Sequence, residues 1–141
     1  MLTRIDHVGI AVADLDAAVA AYEQLLGRAP AHRQTVESDG IEAVMFEVGE
    51  SRVELLGSLG PTSKIAGFLE RRGGGLHHVA YGVDSVQESL DAYTAAGLRT
   101  LDTCPRRGAG GRLVAFLHPS AAVGVLTELC QPDPGSPERT G

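Results

Sequence analysis

Lysine is almost missing from this chain. Lys64 is the only one, and 12 basic against 18 acidic residues leave a formal charge of -6. No basic face that could track a phosphate backbone can be assembled from such a set, so nucleic acid is not an expected partner. Cysteine is also scarce: Cys104 and Cys130 stand far apart, in neither a CxxC nor a zinc-ribbon spacing, and are expected to be free thiols. No stretch approaches the ~18 consecutive apolar residues of a membrane span, and no segment joins a basic start to an apolar run and a small-residue cleavage site. The expectation is a soluble, cytoplasmic protein with no membrane partner. A hydrophobic content of 43% over 141 residues is enough for a core without covalent staples, and a single domain over 1–131 follows.

What the chain does have is an internal repeat. "DHVGIAVADLDAAVAAY" at 6–22 lies over "HHVAYGVDSVQESLDAY" at 77–93, with Val8 on Val79, Val12 on Val83, Leu15 on Val86, Val19 on Leu90 and Tyr22 on Tyr93. Each copy opens as a period-2 strand and then switches to a helical period. The switch falls at a helix cap, Asp14 in one copy and Ser85 in the other, and Ser85 with Glu88 forms a capping box. Gly27 and Gly97 close the two helices. Strand-like stretches follow at 41–48 and 51–56 in the first half and at 111–117 and 123–129 in the second. The fold class read from this is α+β, two tandem βαβββ modules at about 1–60 and 76–131. A short connector helix lies between them at about 61–75, carrying Ile65, Phe68 and Leu69 on one face and ended by Gly73, Gly74 and Gly75. Residues 132–141, rich in proline and poor in apolar groups, are expected to form a disordered tail.

Strand alternation sorts the side chains. Val8, Ile10 and Val12 face the helix, and His7, Gly9 and Ala11 face away from it. The second copy repeats this with Val79, Tyr81 and Val83 against His78, Ala80 and Gly82. Each histidine thus stands among very small residues, as on a cavity wall. His77 is the alternative within the pair, but parity turns it to the helix side. In the last strand of each module a glutamate, Glu54 or Glu128, is embedded in apolar neighbours. Carboxylates are seldom fully buried unless paired or bound to metal, the bland alternative being an edge strand with its glutamate in water. One His and one Glu from each module would give two imidazoles and two carboxylates, a set suited to a divalent ion of the Zn, Co, Ni, Mn or Fe type.

At these residues the chain resembles the vicinal oxygen chelate superfamily, and more narrowly its methylmalonyl-CoA epimerase family. The motifs that carry the resemblance run from residue 2 to 130: "IDHVGIAV", "VGESRVELL", "SKIAGFLERRGGGLHHVAY", "GAGG" before "FLHP", and "GVLTEL". The resemblance implies a cupped mixed sheet around a central metal, with His7, Glu54, His78 and Glu128 as ligands and Co2+ or Mn2+ ahead of Zn2+, Ni2+ or Fe2+. It also implies a homodimer and an acyl-CoA substrate. The activity implied is interconversion of the 2R and 2S forms of methylmalonyl-CoA by α-proton abstraction through a metal-stabilised enolate, with Glu128 as ligand and base. Several family members carry a second catalytic glutamate where this chain has Ala43, and the neighbouring Glu42 is out of step by one residue. Arg106, Arg107 and Arg112 around "GAGG" would suit an anionic ligand, or form a solvated loop. The alternatives are a glyoxalase-type isomerase or biosynthetic enzyme acting on another acyl group, and a metal-free antibiotic-binding protein.

Overall fold

The computed structural model describes residues 2–132, so all of the expected tail except Pro132 lies outside the described residues. The architecture is α+β, and the element order is that of two βαβββ modules. The first comprises β1 (Leu2–Val12), α1 (Leu15–Leu26), β2 (His32–Val36), β3 (Ile41–Val48) and β4 (Ser51–Ser58). The connector helix α2 (Ala66–Arg72) follows. The second comprises β5 (Gly75–Val83), α3 (Val86–Ala95), β6 (Arg106–Arg107), β7 (Leu113–Leu117) and β8 (Thr127–Gln131). No described helix is long and apolar enough to cross a membrane.

By its contacts the chain divides into two compact units. One is His7–His78, in which the strand order is β2-β3-β4-β1. Here β1 runs parallel to β4, while β3 is antiparallel to both β2 and β4 and pairs from Ile41↔Ser58 to Val48↔Ser51 without a break. α1 lays Leu15, Ala18, Val19, Tyr22 and Leu26, spaced as one helical face, onto Ile10, Val12, Val44, Phe46, Val53 and Leu55. Phe46 and Leu55 are fully buried, and each such side chain contributes roughly 1.5–3 kcal/mol. The expected cap is present, Asp14 Oδ1 accepting from the Ala17 amide at 3.1 Å. Gly27, at φ 67, takes the left-handed conformation that ends the helix.

The other unit comprises the residues up to Asp6 and those from Val79 onward, with strand order β5-β8-β7-β6. Its core repeats the first: Val86, Leu90 and Tyr93 of α3 pack on Val83, Ala115, Leu117 and Leu129. Four of the five pairs matched in the sequence overlay, all but Val8 and Val79, therefore fill the same places in each core. Ser85 Oγ caps α3 through the Glu88 amide at 3.2 Å. Ala96 forms the C-cap, and Gly97 follows it at φ 85.

Two expectations about strands need correcting. The last strand begins at Thr127, not Val123, because Pro119 starts a 3-10 turn whose end is Val123 at φ 55, followed by Gly124 at φ 94. Likewise β7 begins at Leu113, the preceding glycines being bent into a turn at Ala109–Gly111. Both cysteines are free as expected, Cys104 exposed and Cys130 buried.

Candidate metal centre

Three of the four residues singled out from the sequence meet within one unit. β1 supplies His7, its parallel neighbour β4 supplies Glu54 opposite Gly9, and β5 supplies His78. His7 Nε2 and His78 Nε2 are 3.3 Å apart, and Glu54 Oε1 lies 3.8 Å from the former and 3.7 Å from the latter. All three residues are buried, at 4%, 5% and 3% exposure for His7, Glu54 and His78, which removes the reading of Glu54 as a solvated edge glutamate. Glu128 is buried too, at 6%, so the same holds for it. It belongs to the other unit, on β8 opposite Ala80 of β5 and Phe116 of β7.

The donor set can be tested against an ion without assuming one. Ligand atoms bound at about 2.0–2.2 Å to a common ion cannot be further apart than about 4.4 Å. All three separations, 3.3, 3.7 and 3.8 Å, fall inside that limit. Two imidazoles and a carboxylate also suit a divalent transition ion by donor type. Burying a carboxylate is costly unless it is paired or bound to metal, and a cation among these donors would stabilise its charge. The three residues fit a divalent metal.

Gly9 explains how the histidines come so close. A Cβ built on it would lie 2.0 Å from His78 Cε1, so the absent side chain is the seat of the His78 ring. The small residues beside the histidine do not line an empty space here. Part of that space is filled by the second imidazole itself.

His77 is not one of the three converging donors, in keeping with strand parity, yet it touches the centre from behind. Its Nδ1 lies 2.9 Å from Nδ1 of His78, and its ring meets Phe68 of α2 edge-on at 5.0 Å. Parity also places Glu42 correctly. In β3, Met45 pairs with Glu54 and Ala43 with Leu56, so Ala43 shares the face of the centre. Glu42 points to the opposite face, where its carboxylate takes the Arg33 Nε–H at 2.7 Å. Arg33 also reaches Asp16 of α1 at 3.1 Å, and Glu42 first and Asp16 second raise the guanidinium pKa above its ordinary value.

Of the arginines near "GAGG", which the sequence left either as suited to an anionic ligand or as a solvated loop, two are engaged within the protein. Arg112 pairs with the buried Asp6, which also accepts from Arg4 at 3.0 Å, and Arg112 Nη1 is 3.8 Å from Cys130 Sγ. Arg106 sits 5.4 Å over the Phe116 ring beside Asp102. Asp6 was not picked out from the sequence. The signal was an acidic residue directly before the first histidine, but its partner lies 106 residues away in a loop that periodicity does not describe.

Known proteins are similar to this chain over most of its length. The family model described as the glyoxalase/bleomycin resistance protein/dioxygenase superfamily matches residues 6–116. An ethylmalonyl-CoA/methylmalonyl-CoA epimerase of Cereibacter sphaeroides is 41% identical, over 93% of this chain and 99% of its own length. The mitochondrial methylmalonyl-CoA epimerase of Homo sapiens is 38% identical, over 92% of this chain and 74% of that protein. Among solved structures, a Streptomyces coelicolor methylmalonyl-CoA epimerase variant in complex with 2-nitronate-propionyl-CoA is 38% identical, with a TM-score of 0.88 over 92% of this chain and 94% of that one. The fold is thus the vicinal oxygen chelate fold. Because these matches run through both modules and not only the first strand, the chain belongs to the glyoxalase/bleomycin resistance protein/dioxygenase superfamily and, within it, to the methylmalonyl-CoA epimerase family.

Proposed function

We propose that this protein is an isomerase that interconverts the 2R and 2S forms of methylmalonyl-CoA by removing and returning the proton at C2. The observation that carries the reading is the buried convergence of His7, Glu54 and His78 in a chain of the epimerase family. Three buried donors held this close also speak for a metal enzyme and against a metal-free binding protein. The relatives are epimerases of CoA thioesters, and one is solved with an acyl-CoA analogue, which supports a CoA thioester as ligand.

In this reading His7, Glu54, His78 and Glu128 hold a divalent ion, with Co2+ or Mn2+ preferred over Zn2+, Ni2+ or Fe2+. When bound, the ion supplies Lewis-acid stabilisation of negative charge developing on the thioester oxygen. Glu128 is the base: a buried carboxylate near the start of the last strand takes the C2 proton from one face onto one of its oxygens, and donates it to that face when the reaction runs in reverse. Return of the proton to the opposite face needs a second donor. Ala43 cannot supply it, and Glu42 is turned away towards Arg33, so water or another side chain serves that face. The assembly proposed is a cytoplasmic homodimer, as is common in the family.

The test is to incubate the purified protein with one epimer of methylmalonyl-CoA in deuterated water and follow C2 by NMR. Deuterium should enter C2 as the second epimer accumulates, and a chelator should stop both. Unexchanged substrate in the metal-replete protein would refute the reaction class.

A further inference from the structure

We propose that His77 is a positioning residue that fixes the tautomer of His78 and so keeps the Nε2 lone pair of that ligand aimed at the centre. The proposal rests on reading the centre as a metal site. The two Nδ1 atoms are 2.9 Å apart, a distance at which one ring donates and the other accepts. His78 Nε2 is the atom that faces His7 Nε2 at 3.3 Å and Glu54 Oε1 at 3.7 Å. An imidazole ligand must present a bare nitrogen, so the proton of a neutral His78 belongs on Nδ1. It is then donated to His77, which must accept through an unprotonated Nδ1 and carry its own proton on Nε2.

His77 can hold this role because it is held itself. Its ring meets the edge of Phe68 at 78°, and the Arg72 guanidinium lies 5.4 Å over the same phenyl ring. Phe68 and Arg72 both belong to α2, and Gly73 at φ 73 ends that helix just before β5 brings in the two histidines. The order of action is α2 to His77, His77 to His78, and His78 to the centre. α2, a connector in sequence terms, thereby orients a ligand. Such outer contacts commonly change metal affinity by about 10–100-fold.

The experiment separates orientation from simple packing. Asparagine puts an acceptor oxygen where the histidine has Nδ1, and leucine fills similar space with no acceptor. Long-range proton–nitrogen NMR on the metal-free protein should find His78 as the Nδ1–H tautomer in the unmodified chain and in His77→Asn. In His77→Leu it should move towards Nε2–H. Calorimetric titration with Co2+ or Mn2+ should place His77→Asn within about threefold of the unmodified chain and His77→Leu about 10–100-fold weaker. An Nε2–H tautomer in the unmodified chain, or an unchanged tautomer and affinity in His77→Leu, overturns the proposal. If His77→Leu fails to fold, the tautomer of the unmodified chain and the affinity of His77→Asn decide the question. An Nδ1–H tautomer in a chain that binds neither ion supports the His77 contact and refutes the metal reading, so the two failures are distinguishable.

Discussion

Gly9 is the residue at which the centre tolerates least change. Its missing Cβ would stand 2.0 Å from His78 Cε1, and the nearest alternative atoms of that ring are no further than 2.6 Å. Gly9→Ala is therefore expected to push the imidazole off the centre and weaken ion binding by about tenfold or more, the scale on which ligand orientation acts. Calorimetric titration checks this, and circular dichroism shows whether the chain remains folded. Glu128 and Glu54 make a second test. Glu128→Gln keeps an oxygen that can coordinate and loses the base, so turnover should fall by roughly 10²-fold or more while much of the metal stays. Glu54→Gln should be milder, since it also keeps an oxygen that can coordinate and removes no proton-transfer group. Equal collapse of both would remove the division of labour between them. That His7, Glu54 and His78 are buried and close together was legible because a two-residue period and a duplication point to those positions. The His77–His78 contact was not, because it depends on ring rotations and on a helix that the strand pattern does not mention.

Among the elements, β3 decides the question of a second base. Its ladder to β4 is continuous from Ile41 to Val48, so no extra residue rotates Glu42 into the face of Ala43. Glu42→Gln is expected to leave turnover within about fivefold, far from the ~10² that loss of a proton-transfer group would cost. A large fall in exchange rate at normal metal content would mean that the strand turns over in the working enzyme. The same Glu42 helps to raise the pKa of Arg33. Its part in the molecule is to tie β3 to β2, and through Asp16 to α1. Element boundaries were readable where an alternating run met a cap, as at Asp14 and Ser85. They were misjudged where a turn was hidden in apolar letters, as in "VGVL", whose first residue is not in a strand at all. β2, with three of its five residues exposed and none buried, carries too weak an alternation to announce itself.

For the whole molecule, the centre should act on stability as well as on chemistry. An ion bound only by the native chain and present at about 100 times its dissociation constant adds about 2.7 kcal/mol, which for this length is roughly 9 °C in Tm. Scanning calorimetry with and without chelator measures it, and an unchanged Tm at saturating Co2+ and Mn2+ would count against a bound ion. The general architecture was open to reading because each module repeats the same core, Leu15, Val19 and Tyr22 in one and Val86, Leu90 and Tyr93 in the other. Val123 has a consequence of another kind, for how far this protein can drift. A β-branched residue at φ 55 costs roughly 1–2 kcal/mol over one suited to that conformation, and at 98% exposure nothing packs against it in return. Val123→Asn should raise Tm by roughly 3–6 °C without touching turnover. Such a position works as a global suppressor: a lineage that relaxes it first can survive disruptive changes around the histidines, Gly9→Ala among them, long enough for selection to try a different acyl group.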